Sequence, residues 1–188
     1  MKINEDVYLI KSFLVETGDH FDYLLNNMKW IDELNILDSD DKVKIKRKMA
    51  YVFEKPVIYN YAKFWFQGEV WNPCLTYIKE RVEEHTGKEF NSVLLNLYED
   101  GRDEIKWHSD KEDTLGDNPV IACVNLGATR KFWFLNKDTG EKSFVEVADG
   151  DLLVMTEDCQ ENYLHAILKE KEVTTPRISL TFRYNFPE

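Results

Sequence analysis

The chain has 188 residues, 43% hydrophobic and 13% aromatic, which suits one domain with a real core and excludes disorder as its default state. Its 24 basic and 35 acidic residues give a formal charge of −11, which excludes coating of nucleic acid by bulk electrostatics, so any polyanion must be met locally. The start, MKINEDVYLI, lacks a signal peptide's pattern, no run of eighteen apolar residues occurs, and Cys74, Cys123 and Cys159 form no CxxC pair. A soluble, intracellular protein is therefore expected, with no membrane contact, no disulfide framework and no thiolate zinc site.

The chain shows no repeat, low-complexity tract or linker, so a single unit over 1–188 is expected, helical in 1–90 and strand-built in 91–188. Around Asp19 to Met28, the apolar residues Phe21, Leu24, Leu25 and Met28 recur at helical spacing. Next comes the cluster Lys42, Lys44, Lys46, Arg47 and Lys48, five basic residues in seven. Read alone, it is a solvated face of a surface strand or helix. A second helix is predicted from Asn72 as N-cap, with Pro73 at its first position, an apolar stripe through Leu75, Ile78 and Val82, and Gly87 as its stop. His85 in its last turn complements the helix dipole.

After Phe90 the pattern becomes short strands: Ser92 to Tyr98, Val120 to Leu126, Lys131 to Leu135, Ser143 to Val147, Asp151 to Met155 and Ile178 to Tyr184. Helices followed by strands predict an α+β fold, a sandwich or jelly roll with supporting N-terminal helices.

His108 and Asp110 stand two apart in WHSD, which on extended backbone puts both on one face. By itself an HxD pair is a weak signal, and His165 in YLHAI is alone more often a satisfied core histidine. Together the three form the two-His, one-carboxylate set that holds one face of an octahedral Fe(II). Zinc fits less well, because it leaves two downstream arginines unexplained. In PRISLTFR, alternation places Arg177, Ser179, Thr181 and Arg183 on one strand face. Two arginines buried on one face call for anions, and the guanidinium fork pairs a carboxylate bidentately. A polar face turned to water is the competing reading, weakened by the His165 only twelve residues upstream. Asn96 and Tyr98 share another strand face and offer an amide and a phenol to the same carboxylates.

The segments NSVLLNLY, WHSDKEDTLG, PVIACVNLGATRKF, DGDLLVM, YLHAI and PRISLTFR, in this order and spacing, closely resemble the AlkB family of nucleic-acid dealkylases. The likeness is strongest to animal members acting on N1-methyladenine and N3-methylcytosine. It runs from about Phe53 to the end. It implies a double-stranded β-helix, with 1–90 contributing nucleotide recognition, and an Fe(II)- and 2-oxoglutarate-dependent dioxygenase using O2 and releasing formaldehyde, succinate and CO2. It implies His108, Asp110 and His165 as iron ligands and catalytic centre, Arg183 and Asn96 on the C1 carboxylate of 2-oxoglutarate, and Arg177 and Tyr98 on the distal one. Tyr59 and Tyr61 match base-pocket aromatics, although alternating aromatics more often simply pack. Glu112 matches an acidic residue facing the base's exocyclic amine.

Two departures stand out. Ser179 occupies a position where the family usually has Asn, shortening one hydrogen bond to the distal carboxylate. Leu168 to Glu172 alternates charge where a duplex-preferring relative carries consecutive basic residues. Single-stranded DNA or RNA is therefore the expected partner, met by a monomer, with Lys111, Arg47 and Lys48 as backbone contacts. The same chemistry on a protein side chain or small molecule is the alternative.

Overall fold

Strands run through far more of the chain than its second half. The computed structural model describes residues 2–36, 41–54, 58–61, 64–111 and 113–186, with backbone alone for 58–61, 64–66 and 113. In chain order its elements are β1 (Val7–Ile10), α1 (Thr17–Asn27), β2 (Ile31–Ile36), β3 (Lys42–Phe53), β4 (Ile58–Tyr61), β5 (Phe64–Gln67), β6 (Glu69–Val70) and α2 (Pro73–Thr86). There follow β7 (Ser92–Tyr98), β8 (Ile105–His108), β9 (Ile121–Gly127), β10 (Arg130–Asn136), β11 (Lys142–Val147), β12 (Leu152–Met155), the single turn α3 (Cys159–Asn162), β13 (Tyr163–Ile167) and β14 (Arg177–Arg183).

The strands form two sheets. The larger is ordered β1-β12-β9-β14-β7-β3-β2-β5-β4, with β6 paired to β3, and the smaller β11-β10-β13-β8. They face each other as a jelly roll. One core lies between them, where Ile121, Cys123 and Met155 of the large sheet meet Phe132, Phe134, Val145 and Ile167 of the small one. A second core packs the large sheet's other face against the helices through Leu24, Leu75, Ile78 and Val82. Each such fully buried aliphatic side chain contributes roughly 1.5–3 kcal/mol.

α2 forms as its sequence dictates. The Asn72 side chain accepts the Leu75 N–H at 3.0 Å, Pro73 begins the helix, and Gly87 ends it at φ 65°. The expectation of a helical first ninety residues is corrected. Among the described residues two helices are present, but six strands accompany them, because β1 pairs with β12 and β3 pairs with β7 to extend the large sheet. The pairing partners lie far along the chain, so local periodicity carried little sign of them.

β7 and β14 decide where the site lies. Both are buried on both faces along their whole length. Ile178, Leu180 and Phe182 enter the helix-side core. Arg177, Ser179, Thr181 and Arg183, equally buried, turn toward the small sheet. A polar row inside an interior needs partners, and these are the groups of the site.

Candidate active site

His108, at the end of β8, and His165, in the middle of β13, are register partners. Their rings lie 4.2 Å apart between centroids, and Phe132 stacks on His165 from the other side at 5.4 Å. Asp110 arrives differently from expectation. β8 ends at His108, so Asp110 lies beyond the strand, and its backbone N–H donates to Oε1 of Gln160 on α3 at 2.8 Å. The bend brings Asp110 Oδ1 to 3.6 Å from His108 Nε2 and Oδ2 to 4.0 Å from His165 Nε2. All three ligand atoms lie within 4.8 Å of one another, and small side-chain rotations close them onto one ion.

The electrostatics favour the metal-binding protonation state. His108 Nδ1 is 2.7 Å from the Lys106 carbonyl, which as the acceptor fixes the proton there and leaves the Nε2 lone pair for a metal. Burial, then the nearby His108, pushes the His165 imidazole down to about 3, so it is neutral. Burial likewise lowers His108. For Asp110 burial acts upward, but the Arg183 guanidinium, followed by His165 and His108, holds its carboxyl at about 2. Two neutral imidazoles and a carboxylate suit a divalent first-row ion with open positions opposite.

The triad lines a small cavity whose other walls include Asn96, Tyr98, Ser179, Thr181 and Arg183. Arg183 Nη2 pairs with Asp110 Oδ2 at 2.9 Å. Arg177 stands just behind Tyr98, its guanidinium carbon 5.1 Å from the ring centroid, and its buried Nη1 has no hydrogen-bond partner among the described residues. A buried guanidinium nitrogen without an acceptor is costly, and a carboxylate relieves it. The donor set therefore fits a metal and a small dicarboxylate together.

A family model for the 2OG-Fe(II) oxygenase superfamily matches residues 7–183. Alpha-ketoglutarate-dependent dioxygenase alkB homolog 3 of Bos taurus is 36% identical over 185 residues, covering 93% of this chain and 64% of its own length. DNA oxidative demethylase ALKBH2 of Mus musculus is 35% identical over 151 residues, covering 76% of this chain and 63% of its own. The chain belongs to the 2OG-Fe(II) oxygenase superfamily, in its AlkB branch. Uncharacterized protein R406 of Acanthamoeba polyphaga mimivirus is 34% identical and matches along 90% of this chain and 89% of its own. The structure of OsALKBH1, at 15% identity and TM-score 0.67, covers 97% of this chain and shares the fold. The 2OG-Fe(II) oxygenases require Fe(II), 2-oxoglutarate and O2, and the His108, Asp110 and His165 set fits the iron.

Within this AlkB-type chain, the remaining expected residues fall into three groups. Tyr59 and Tyr61 lie on β4, where only backbone is described, and Glu112 lies outside the described residues. The side chains of the basic cluster divide. Lys42, Lys44 and Lys48 pair with Glu33, Asp32 and Glu99, while half-buried Arg47 turns inward and donates through Nε to Asn96 Oδ1. Lys111 pairs with Glu161. In the charge-alternating segment, Glu170 points into the protein. It accepts from fully buried Arg130 at 3.1 Å, and Gly101 lets the backbones meet, since a Cβ there would stand 1.7 Å from the Glu170 carbonyl oxygen.

Two further residues were not singled out in the sequence. Gln160 holds Asp110, and Asn125 on β9 accepts from Arg177 Nε. Both are 1% exposed. Asn125 left a trace, an amide inside the apolar strand VIACVNLG. Gln160 left none, because its partner lies 50 residues away.

Proposed function

We propose that this chain is a 2-oxoglutarate-dependent oxidative demethylase of nucleic-acid bases, acting on N1-methyladenine and N3-methylcytosine in single-stranded DNA or RNA. The observation that carries this reading is the meeting, around one cavity, of the His108, Asp110 and His165 set with Arg183 of β14, while buried Arg177 of the same strand stands behind the wall residue Tyr98. The relatives named for dioxygenase and demethylase activity supply the substrate class.

Iron with 2-oxoglutarate and O2 supplies oxidation of the N-methyl C–H, giving succinate, CO2 and a hydroxymethyl base that releases formaldehyde. The chain's own residues bind and orient. Arg183 and Asn96 take the C1 carboxylate, and Arg177 and Tyr98 the distal one, by charge-assisted hydrogen bonds. Ser179, shorter than an asparagine, adds less to the distal end. Phe132 and the apolar wall around His165 exclude water from the reacting atoms.

A base reaches such a pocket only when unpaired or flipped. Tyr59 and Tyr61 stack on it, with about 1–3 kcal/mol per base from aromatic stacking, and Glu112 meets the exocyclic amine. A cationic methylated base gains further from the aromatic faces. The Leu168 to Glu172 segment alternates charge, and its Lys169 is paired with Glu104 at 3.8 Å, so it offers no run of cations to a second strand, which supports the single-strand reading.

The test is formaldehyde release from single- and double-stranded DNA and RNA carrying N1-methyladenine or N3-methylcytosine, beside methylated peptides. Release from single strands at a rate at least tenfold above the duplex is the expected result. Release from peptides alone would overturn the substrate, and iron-dependent succinate formation with neither would overturn both.

A further inference from the structure

Ser179 and Asn125 face each other across β14 and β9 as register partners, and Asn96 stands opposite Ser179 on the other side, on β7. Residues directly opposite in an antiparallel pair share a sheet face, so Asn96, Ser179 and Asn125 form one polar row pointing between the sheets. All three are at most 5% exposed. The row lies one pleat from Arg177, whose own register partners are Tyr98 and Gly127.

Of the two residues nearest Arg177 on this row, it is Asn125 that meets it, with Oδ1 accepting from the guanidinium Nε. Asn125 is itself held. Its Nδ2 donates to the Ala128 carbonyl at 3.4 Å, which sets the amide so that its oxygen faces the arginine. Its backbone N–H donates to Asp151 and its carbonyl accepts from Gly150. Tyr98 flanks the guanidinium 5.1 Å from its ring centroid. Arg177 is thus fixed at Nε, while Nη1 stays buried without a partner among the described residues.

We infer that Asn125 is the positioning residue for Arg177, presenting its guanidinium to the distal carboxylate of the cosubstrate, and that from β9 it makes up for the hydrogen bond to that carboxylate which Ser179 on β14 is too short to give in full. The inference rests on the reading of this cavity as the 2-oxoglutarate site. The register makes the two positions interchangeable: an amide at either end of the Ser179 and Asn125 pair reaches the same space, and a serine at either is too short. A serine at 179 therefore costs nothing here while Asn125 is in place. Asn125 touches no reacting atom and leaves the metal set untouched.

The experiment measures 2-oxoglutarate binding to the Mn(II)-loaded protein by isothermal titration calorimetry, together with Mn(II) affinity and, in the iron enzyme, KM and kcat. Asn125→Ser is expected to weaken 2-oxoglutarate binding and raise its KM about tenfold, the loss of one hydrogen bond to a charged group. Mn(II) affinity and kcat at saturating cosubstrate stay within about twofold of wild type. In the exchanged variant, Asn125→Ser with Ser179→Asn, affinity returns to within about threefold of wild type. If Asn125→Ser yields no folded protein, Asn125→Asp keeps the acceptor and volume and carries the test. Its charge competes for Arg177, so weakened 2-oxoglutarate binding is expected and unchanged binding overturns the inference. Wild-type affinity in Asn125→Ser, or an exchanged variant no better than Asn125→Ser, overturns it too. Absence of saturable 2-oxoglutarate binding by the wild type overturns the reading of the cavity itself, and this inference with it.

Discussion

Arg183 Nη2 and Asp110 Oδ2 form an ion pair at 2.9 Å in which both side chains are 5% exposed. One arginine thereby meets the carboxylate of the metal set while standing on the strand assigned to the cosubstrate. Removing one member of a buried pair leaves the other's charge uncompensated, which costs about 3–5 kcal/mol. Arg183→Ala is therefore expected to lower the stability of the metal-free protein by roughly 3 kcal/mol in urea unfolding. Added Mn(II) should recover part of the loss by neutralising Asp110. A loss below about 1 kcal/mol would mean that water reaches the pair and that the arginine is not a buried partner.

Metal binding should divide the site's residues by role. His108→Ala, Asp110→Ala and His165→Ala each remove a ligand and are expected to abolish turnover and saturable Mn(II) binding. Gln160→Leu keeps all three ligands but frees the Asp110 backbone N–H. Residues that orient ligands typically change metal affinity about 10–100-fold, and Gln160→Leu should weaken Mn(II) binding within that range. Wild-type affinity in Gln160→Leu would show that the bend after β8 holds Asp110 unaided.

Those two residues also mark what could be read in the sequence. His108 and Asp110 were legible as an HxD pair, His165 because it interrupts an apolar strand, and Arg177 and Arg183 because strict alternation puts both on one face of theirs. The α2 boundaries were legible because Asn72, Pro73 and Gly87 act locally. β1 and β3 were not, because what makes them strands is pairing with β12 and β7, which lie far along the chain. The inward turn of Arg47 was hidden for a related reason. In the sequence it is one cation among five, and only its position near Asn96 separates it from its neighbours.

The three cysteines should be inert in the folded protein. Burial pushes Cys74 and Cys123 up to about 11 and Cys159 to about 12, so all three stay protonated at pH 8. The thiolate is the nucleophile, and a pKa raised from the ordinary 8.5 to about 11 lowers its fraction at pH 8 by roughly two orders of magnitude. Iodoacetamide labelling at pH 8, followed by mass spectrometry, is expected to be about a hundredfold slower in native than in urea-unfolded protein. Because the shift is upward, native labelling should accelerate only as pH climbs toward 11. Fast native labelling of Cys74, the least buried of the three, would show that the α1 and α2 contact opens readily.

The last prediction concerns how a chain of charge −11 holds a polyanion. Lys42, Lys44 and Lys48 lie on β3 with carboxylates 3.9, 3.7 and 2.7 Å away, and Lys46 has no carboxylate partner among the described residues. Exposed pairs of this kind contribute only about 0–1 kcal/mol, so an arriving phosphate can displace the carboxylates. Each phosphate neutralised on a single strand adds about −0.7 to the slope of log affinity against log salt. Replacing Lys44, Lys46 and Lys48 with Gln should therefore weaken oligonucleotide binding and flatten that slope by at most about 2, with 2-oxoglutarate binding unchanged. Arg47 belongs to a different test, because its Nε is committed to Asn96 on the cavity wall. Arg47→Gln should weaken 2-oxoglutarate binding several-fold, through a freed Asn96, whatever it does to the strand. If the triple lysine variant keeps the wild-type slope from low to physiological salt, β3 is a solvated surface and the nucleic acid is held by the rim of the pocket alone.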